Sequence, residues 1–188
     1  MNREFDRAKS QIYLAIELDP LSAIARTDLG QVYYHEGNYI QAIEEYRKSL
    51  ELDSGYVYTY AYLGQAYVMR DMLDESEMAF RYAVQITGEK DPATLAGLAY
   101  VYARQKNKDR AMTILKQLEN LGKEFYVHPV YIAIIYLALE DMDKAMFWLE
   151  RGYEERSEWM IFLQVEHMLD PLRDDERFKE LVRSMNFE

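Results

Sequence analysis

The sequence predicts an all-α protein built from stacked antiparallel helix pairs, and three observations carry that prediction. Apolar residues recur three and four positions apart, in segments of roughly 12 to 16 residues, which is the spacing of a helix face. Period-two alternation is almost missing, and no Asn-Gly or Asp-Gly hairpin dipeptide occurs. Finally, Leu29-Gly30-x-x-Tyr33 returns as Leu63-Gly64-x-x-Tyr67, then as Leu98-Ala99-x-x-Tyr102 and Ile132-Ala133-x-x-Tyr136, at separations of 34, 35 and 34 residues. A fixed period of that length marks one structural unit repeated, each burying its apolar face against a neighbour.

The elements follow in order. Residues 3–18 read as a lone helix with Ala8, Ile12 and Ala15 in register, stopped by Pro20. Helices over 23–36 and 39–52 form the first full pair, 57–70 and 73–87 the second, 92–105 and 108–121 the third, 129–139 and 142–155 the fourth. The first helix of each pair carries the Leu-Gly-x-x-Tyr echo. The second carries a small residue (Ala42, Ser76, Ala111, Ala145) and, four residues on, a large one (Tyr46, Phe80, Leu115, Leu149). Small residues at a crossing let backbones approach, and the large ones are expected to fill the groove toward the next pair. A short helix over 158–165 and a last one over 174–185 complete the chain. On the last, Phe178, Leu181 and Val182 make one face, while Asp174, Asp175 and Glu176 favour its N-terminus. The expected division is an array over 1–157, with full repeats starting near 23, 57, 92 and 126, and a cap over 158–188.

This pattern resembles the tetratricopeptide repeat (TPR), carried by the 34-residue period, the Leu-Gly-x-x-Tyr and Ala-x-x-x-aromatic positions, and the "LELD" and "IELDP" helix ends. The resemblance implies a right-handed superhelical solenoid. Trp is absent from the fourth repeat position, which holds Arg26, Tyr60, Leu95 and Pro129. The C-terminal stretch, through Trp148-Leu149-Glu150-Arg151, Glu154-Glu155-Arg156 and Asp170-Pro171-Leu172-Arg173, is similar to the closing segment of TPR modules in microbial regulatory proteins. There the repeats follow a winged-helix, kinase or cyclase domain.

Composition excludes several functions. The chain has 188 residues, no cysteine, and a formal charge of −11, so disulfides and thiolate metal sites are unavailable and a nucleic-acid or anionic-lipid surface is disfavoured. The first twenty residues lack the apolar core of a signal peptide, and a cytoplasmic location is expected. His35, His128 and His167 have no ligand-spaced partners, so no metal is expected. Without a nucleophile elbow, phosphate loop or His-Glu-x-x-His, the reading is no enzyme and no cofactor. Asp71 to Glu75 and Asp141 to Asp143 fall at helix starts, where capping explains their carboxylates.

The TPR resemblance implies that the first helix of each pair lines an inner face. The first full pair then contributes Thr27, Asp28, Gln31, Tyr34 and His35, and the second Tyr58, Tyr62, Gln65 and Met69; later pairs add Tyr100, Arg104 and Tyr131. The carboxylate clamp of chaperone-binding repeats needs Lys or Arg and two Asn where this chain has Thr27, Gln31 and Tyr62. What remains is a tyrosine-rich groove suited to a protein or peptide partner. Tyr33, Tyr67, Tyr102 and Tyr136 are packing residues. The lone first helix is expected to leave Phe5, Ile12, Leu14 and Ile16 uncovered, as a surface toward another domain or for a homodimer. The expected function is a non-catalytic protein-interaction module. Alternatives are the regulatory end of a larger signalling protein and a self-associating scaffold.

Overall fold

The structure, a computed structural model, describes residues 2–185, with side chains from Glu4 onward. Met1 and the last three residues of the expected cap, 186–188, lie outside the described residues. Among the described residues, ten α-helices and no strand occur: α1 (Asn2–Leu18), α2 (Ala23–His35), α3 (Tyr39–Leu52), α4 (Val57–Met69), α5 (Leu73–Thr87), α6 (Pro92–Arg104), α7 (Lys108–Leu121), α8 (Pro129–Ala138), α9 (Met142–Glu154) and α10 (Glu176–Ser184). Two 3₁₀ turns, Glu158–Phe162 and His167–Leu172, precede α10. The second occupies a stretch for which the sequence predicts no helix. Its start is capped by Glu166, which accepts from the Met168 N–H at 2.9 Å, and it buries Met168, Leu169 and Leu172.

Two compact units divide the chain, Met1–Thr87 and Gly88–Glu188. In the first, α2 packs on α3 and α4 on α5, with α3 against α4 and α1 against α2. In the second, α6 packs on α7 and α8 on α9, with α8 also beside α6; α10 and the first 3₁₀ turn rest on α9, the second turn on α8.

The repeated glycine has a steric cause. A Cβ on Gly30 would lie 2.4 Å from Cε1 of Tyr46, and one on Gly64 would lie 2.6 Å from Cε2 of Phe80. Each ring is therefore seated on the glycine backbone of its own pair. The sequence leads one to expect these large residues to fill the groove toward the next pair: Tyr46 does reach it, stacking on Tyr62 at 6.1 Å, but Tyr46 and Phe80 also fill the crossing within their own pairs. Equivalent places in the third and fourth pairs hold Ala99 with Leu115 and Ala133 with Leu149, each at most 1% exposed. Glycine goes with an aromatic ring and alanine with leucine, so the two side-chain sizes at each crossing trade against each other. Ser76 adds a polar tie, donating to the Gly64 carbonyl at 2.7 Å.

Every α–α turn inside a pair closes alike. The residue five beyond the motif tyrosine donates its N–H to that tyrosine's carbonyl: Asn38 to Tyr33, Met72 to Tyr67, Asn107 to Tyr102 and Asp141 to Tyr136, at 2.8 to 2.9 Å. This Schellman closure needs a left-handed residue just before the donor. Gly37 supplies it at φ 78°, but Asp71, Lys106 and Glu140 adopt φ of 57°, 61° and 64° with a Cβ. Asp141 then caps α9 by accepting from the Lys144 N–H at 3.1 Å. Replacing Lys106 by Gly should raise stability by about 0.5–1 kcal/mol. The ion pair it removes, with Glu140, is exposed and contributes little. A lower urea midpoint for Lys106→Gly would contradict this.

Candidate protein-binding surface

In the first unit, helix spacing puts Ile24, Asp28, Gln31 and His35 on one face of α2. Tyr58, Tyr62, Gln65 and Met69 take the equivalent places on α4, 34 residues further on. The two helices touch. Ile24 is 59% and Tyr58 54% exposed, while Gln31, Tyr62, Gln65 and Met69 are half-buried. Tyr56 meets Tyr58 edge-on with centroids 6.0 Å apart. Tyr62 lies over Tyr46, and burial pushes its phenol pKa up, with Tyr56, Tyr58 and Asp28 adding to the effect. The Gln31 Nε2 is buried and makes no hydrogen bond among the described residues. Met69 packs against the first unit's core. Tyr34, expected on the groove surface, is instead 2% exposed. Its ring packs beside His35 and Tyr39, which consumes the face a ligand would need.

In the second unit the expected residues are more covered. Tyr100 is only 5% exposed, a correction to its place on the groove surface. Arg104 donates to its hydroxyl at 3.3 Å and lies 5.9 Å from its ring centroid. Burial raises the Tyr100 pKa, Arg104 lowers it, and the cap residues Glu166 and Asp170 raise it slightly further. Tyr131 meets Trp159 of the first 3₁₀ turn edge-on at 5.4 Å. Trp159 and Phe162 of that turn are 5.1 Å apart, and His128 lies 5.3 Å from Tyr131. The cap thus occupies part of the surface that the sequence assigns to a partner.

His128 also shares a hydrogen bond with Ser157 through Nδ1 at 3.0 Å. Burial depresses its pKa below the ordinary 6.5, with Glu158 opposing. A depressed base is held neutral in the folded state while the unfolded chain protonates first. Stability present above the ordinary value is therefore lost as pH falls through it toward the folded pKa. The urea midpoint should drop between about pH 7.5 and about pH 5.5 more in the native sequence than in His128→Phe. Equal drops would overturn the assignment.

On α1 the expected uncovered set divides. Leu14 is 49% exposed, but Ile16 is 9% exposed, and with Ala25 and Leu29 it forms a small core cluster against which Ile12 packs. Phe5 is half-buried. The outward apolar residues that sequence reasoning misses are Leu18 and Leu21, 79% and 75% exposed. A signal for the first exists: Leu18 lies four residues from Leu14, on the same side of the helix. Sequence reasoning also misses a cleft of about 690 Å³ beside the 122–128 loop, with Phe125, Tyr126 and Trp148 on its walls. Its Arg151 is already engaged by Trp148 at 4.9 Å and Glu155 at 2.6 Å. Among the described residues no group of His, Cys, Asp and Glu is arranged to hold a metal. No described helix is long and apolar enough to cross a membrane.

Stacked helix pairs with aromatic and amide side chains on their first helices define a helical-repeat fold. The family model for the TPR repeat matches residues 30–69. Solved structures share the fold across nearly the whole chain. A thermophilic TPR protein of Thermus thermophilus superposes with a TM-score of 0.68 at 18% identity, covering 96% of this chain and 90% of its own. YrrB, described as a TPR protein with an unusual peptide-binding site, gives 0.55 at 19% identity, with 92% and 89% covered. The chain thus carries a match to the TPR repeat over residues 30–69 and shares its fold with TPR proteins. Among curated sequences it is 23% identical over 151 residues to anaphase-promoting complex subunit 3 of Schizosaccharomyces pombe, covering 80% of this chain and 23% of that protein. It therefore spans less than a quarter of that relative's length.

Proposed function

We propose that this chain binds an extended segment of a partner protein along the first unit's α2 and α4. The observation that carries this reading is the equivalent placing of Gln31 on α2 and Gln65 on the adjoining α4, with the exposed Tyr58 and the half-buried Tyr62 one turn apart on α4. Tyrosine offers broad apolar contact with a polar tip, and amide side chains can pair with a peptide's backbone groups. The neighbour described as having a peptide-binding site is consistent with this use of the fold. Tyr131, Arg104 and Tyr100 contribute less, because the cap and mutual packing already engage them. A photo-crosslinking residue at Gln65 should capture a protein from cells of the source organism, and Tyr58→Ala with Tyr62→Ala should abolish the capture. Capture that survives both changes, or occurs equally from Glu150, would overturn the assignment.

A second reading, that the chain is the docking part of a larger regulatory or assembly protein, is favoured by its short span of its curated relative. An immunoblot band well above 22.3 kDa would support it, and a band at that mass would count against it.

A further inference from the structure

The first unit's surface carries one charged group whose surroundings point to a ligand of definite sign. Asp28 takes on α2 the place that Tyr62 takes 34 residues later on α4, and the two helices touch; the Tyr62 phenol feels Asp28, Tyr56 and Tyr58 together. The carboxylate is solvent-accessible, yet neighbouring atoms hem it closely enough that burial raises its pKa, and no basic side chain among the described residues offsets that rise. Arg26, two residues away on α2, is turned to Glu45 at 2.9 Å. The site is therefore an exposed carboxylate without a counter-ion among the described residues, one helix away from tyrosine rings that offer π faces and hydroxyls. One turn along α2, the buried Gln31 Nε2 has no acceptor. Carboxylate and aromatic faces attract a cation together, and more strongly where water is thinned. Left unpaired where it is buried, that amide gains a hydrogen bond when the Gln31 side chain turns outward to a backbone carbonyl of the same ligand.

We propose that Asp28, Tyr58 and Tyr62 form a cation-selective subsite, which seats an arginine or lysine side chain of an extended peptide whose backbone carbonyl is held by Gln31. This rests on the peptide-binding reading and gives the partner its chemistry: basic, as also suits a chain of formal charge −11. The sign is opposite to that of a carboxylate-clamping repeat.

The test is a two-dimensional NMR titration of the full chain with three short alanine/serine peptides, identical except for a central arginine, citrulline or glutamate. The arginine peptide should shift the backbone amides of Asp28, Gln31, Tyr58 and Tyr62, and bind about tenfold more tightly than the citrulline peptide. Added salt should narrow that gap. Asp28→Asn, an isosteric change at an exposed position, should abolish the preference while leaving the citrulline peptide's affinity unchanged. Gln31→Ala should weaken arginine and citrulline peptides alike. Equal binding of all three peptides at these residues would overturn the cation subsite and leave the peptide-binding surface standing. If none of them shifts these residues, both are wrong.

Discussion

Gly64→Ala should destabilise the protein by about 2–3 kcal/mol, although alanine favours a helix over glycine by about 1 kcal/mol. The new methyl would lie 2.6 Å from a Phe80 ring that is 1% exposed. Either the ring leaves its rotamer or α4 and α5 move apart, and both lose packing. Phe80→Leu in the same chain should recover much of the loss, since the third and fourth pairs already use Ala99 with Leu115 and Ala133 with Leu149. The converse pair, Ala133→Gly with Leu149→Phe, should be tolerated better than Leu149→Phe alone. Chemical denaturation of the single and double variants measures the coupling. Additive effects would show that ring and glycine do not share one space.

Leu163→Ala should cost about 2–5 kcal/mol, the range for emptying a fully buried leucine site. Leu163 is 0% exposed between the two 3₁₀ turns, and Met160 and Met168 nearby are 3% and 2% exposed. Burial of this kind is expected to hold the cap in place, because short 3₁₀ turns have little intrinsic stability. Hydrogen exchange should show lost protection concentrated in residues 158–185. A change spread evenly over the chain, or one below about 1 kcal/mol, would falsify the cap's role as packed core.

The corrections among the site residues have a common origin. Periodicity places Tyr34, Tyr58, Tyr62, Tyr100 and Tyr131 on inner faces, but it says nothing of what lies on top of them. Tyr34 is closed over by its own turn, through His35 and Tyr39, and Tyr131 by Trp159 from 28 residues downstream. On α1 the same limit applies. Ile16, expected to be open, is covered by α2, while Leu18 is the most exposed apolar residue there. Asp28 stands in the sequence as one inner-face residue among several. Its missing counter-ion becomes visible only once Arg26 is seen turned to Glu45.

Local periodicity, caps and the steric size of single side chains are all written at fixed spacing along the chain. From them alone follow the all-α class, the ends of the α-helices to within about two residues (the short helix expected over 158–165 is a 3₁₀ turn ending at Phe162), the pairing of helices and the places where small and large residues meet. Other features come from packing in three dimensions: which tyrosines remain open, the folding of the cap through a second 3₁₀ turn, and the left-handed turn that Asp71, Lys106 and Glu140 share with Gly37. Exposure and backbone strain are set by atoms far away in sequence, and a repeated pattern shows which face a residue takes but not what comes to rest against it.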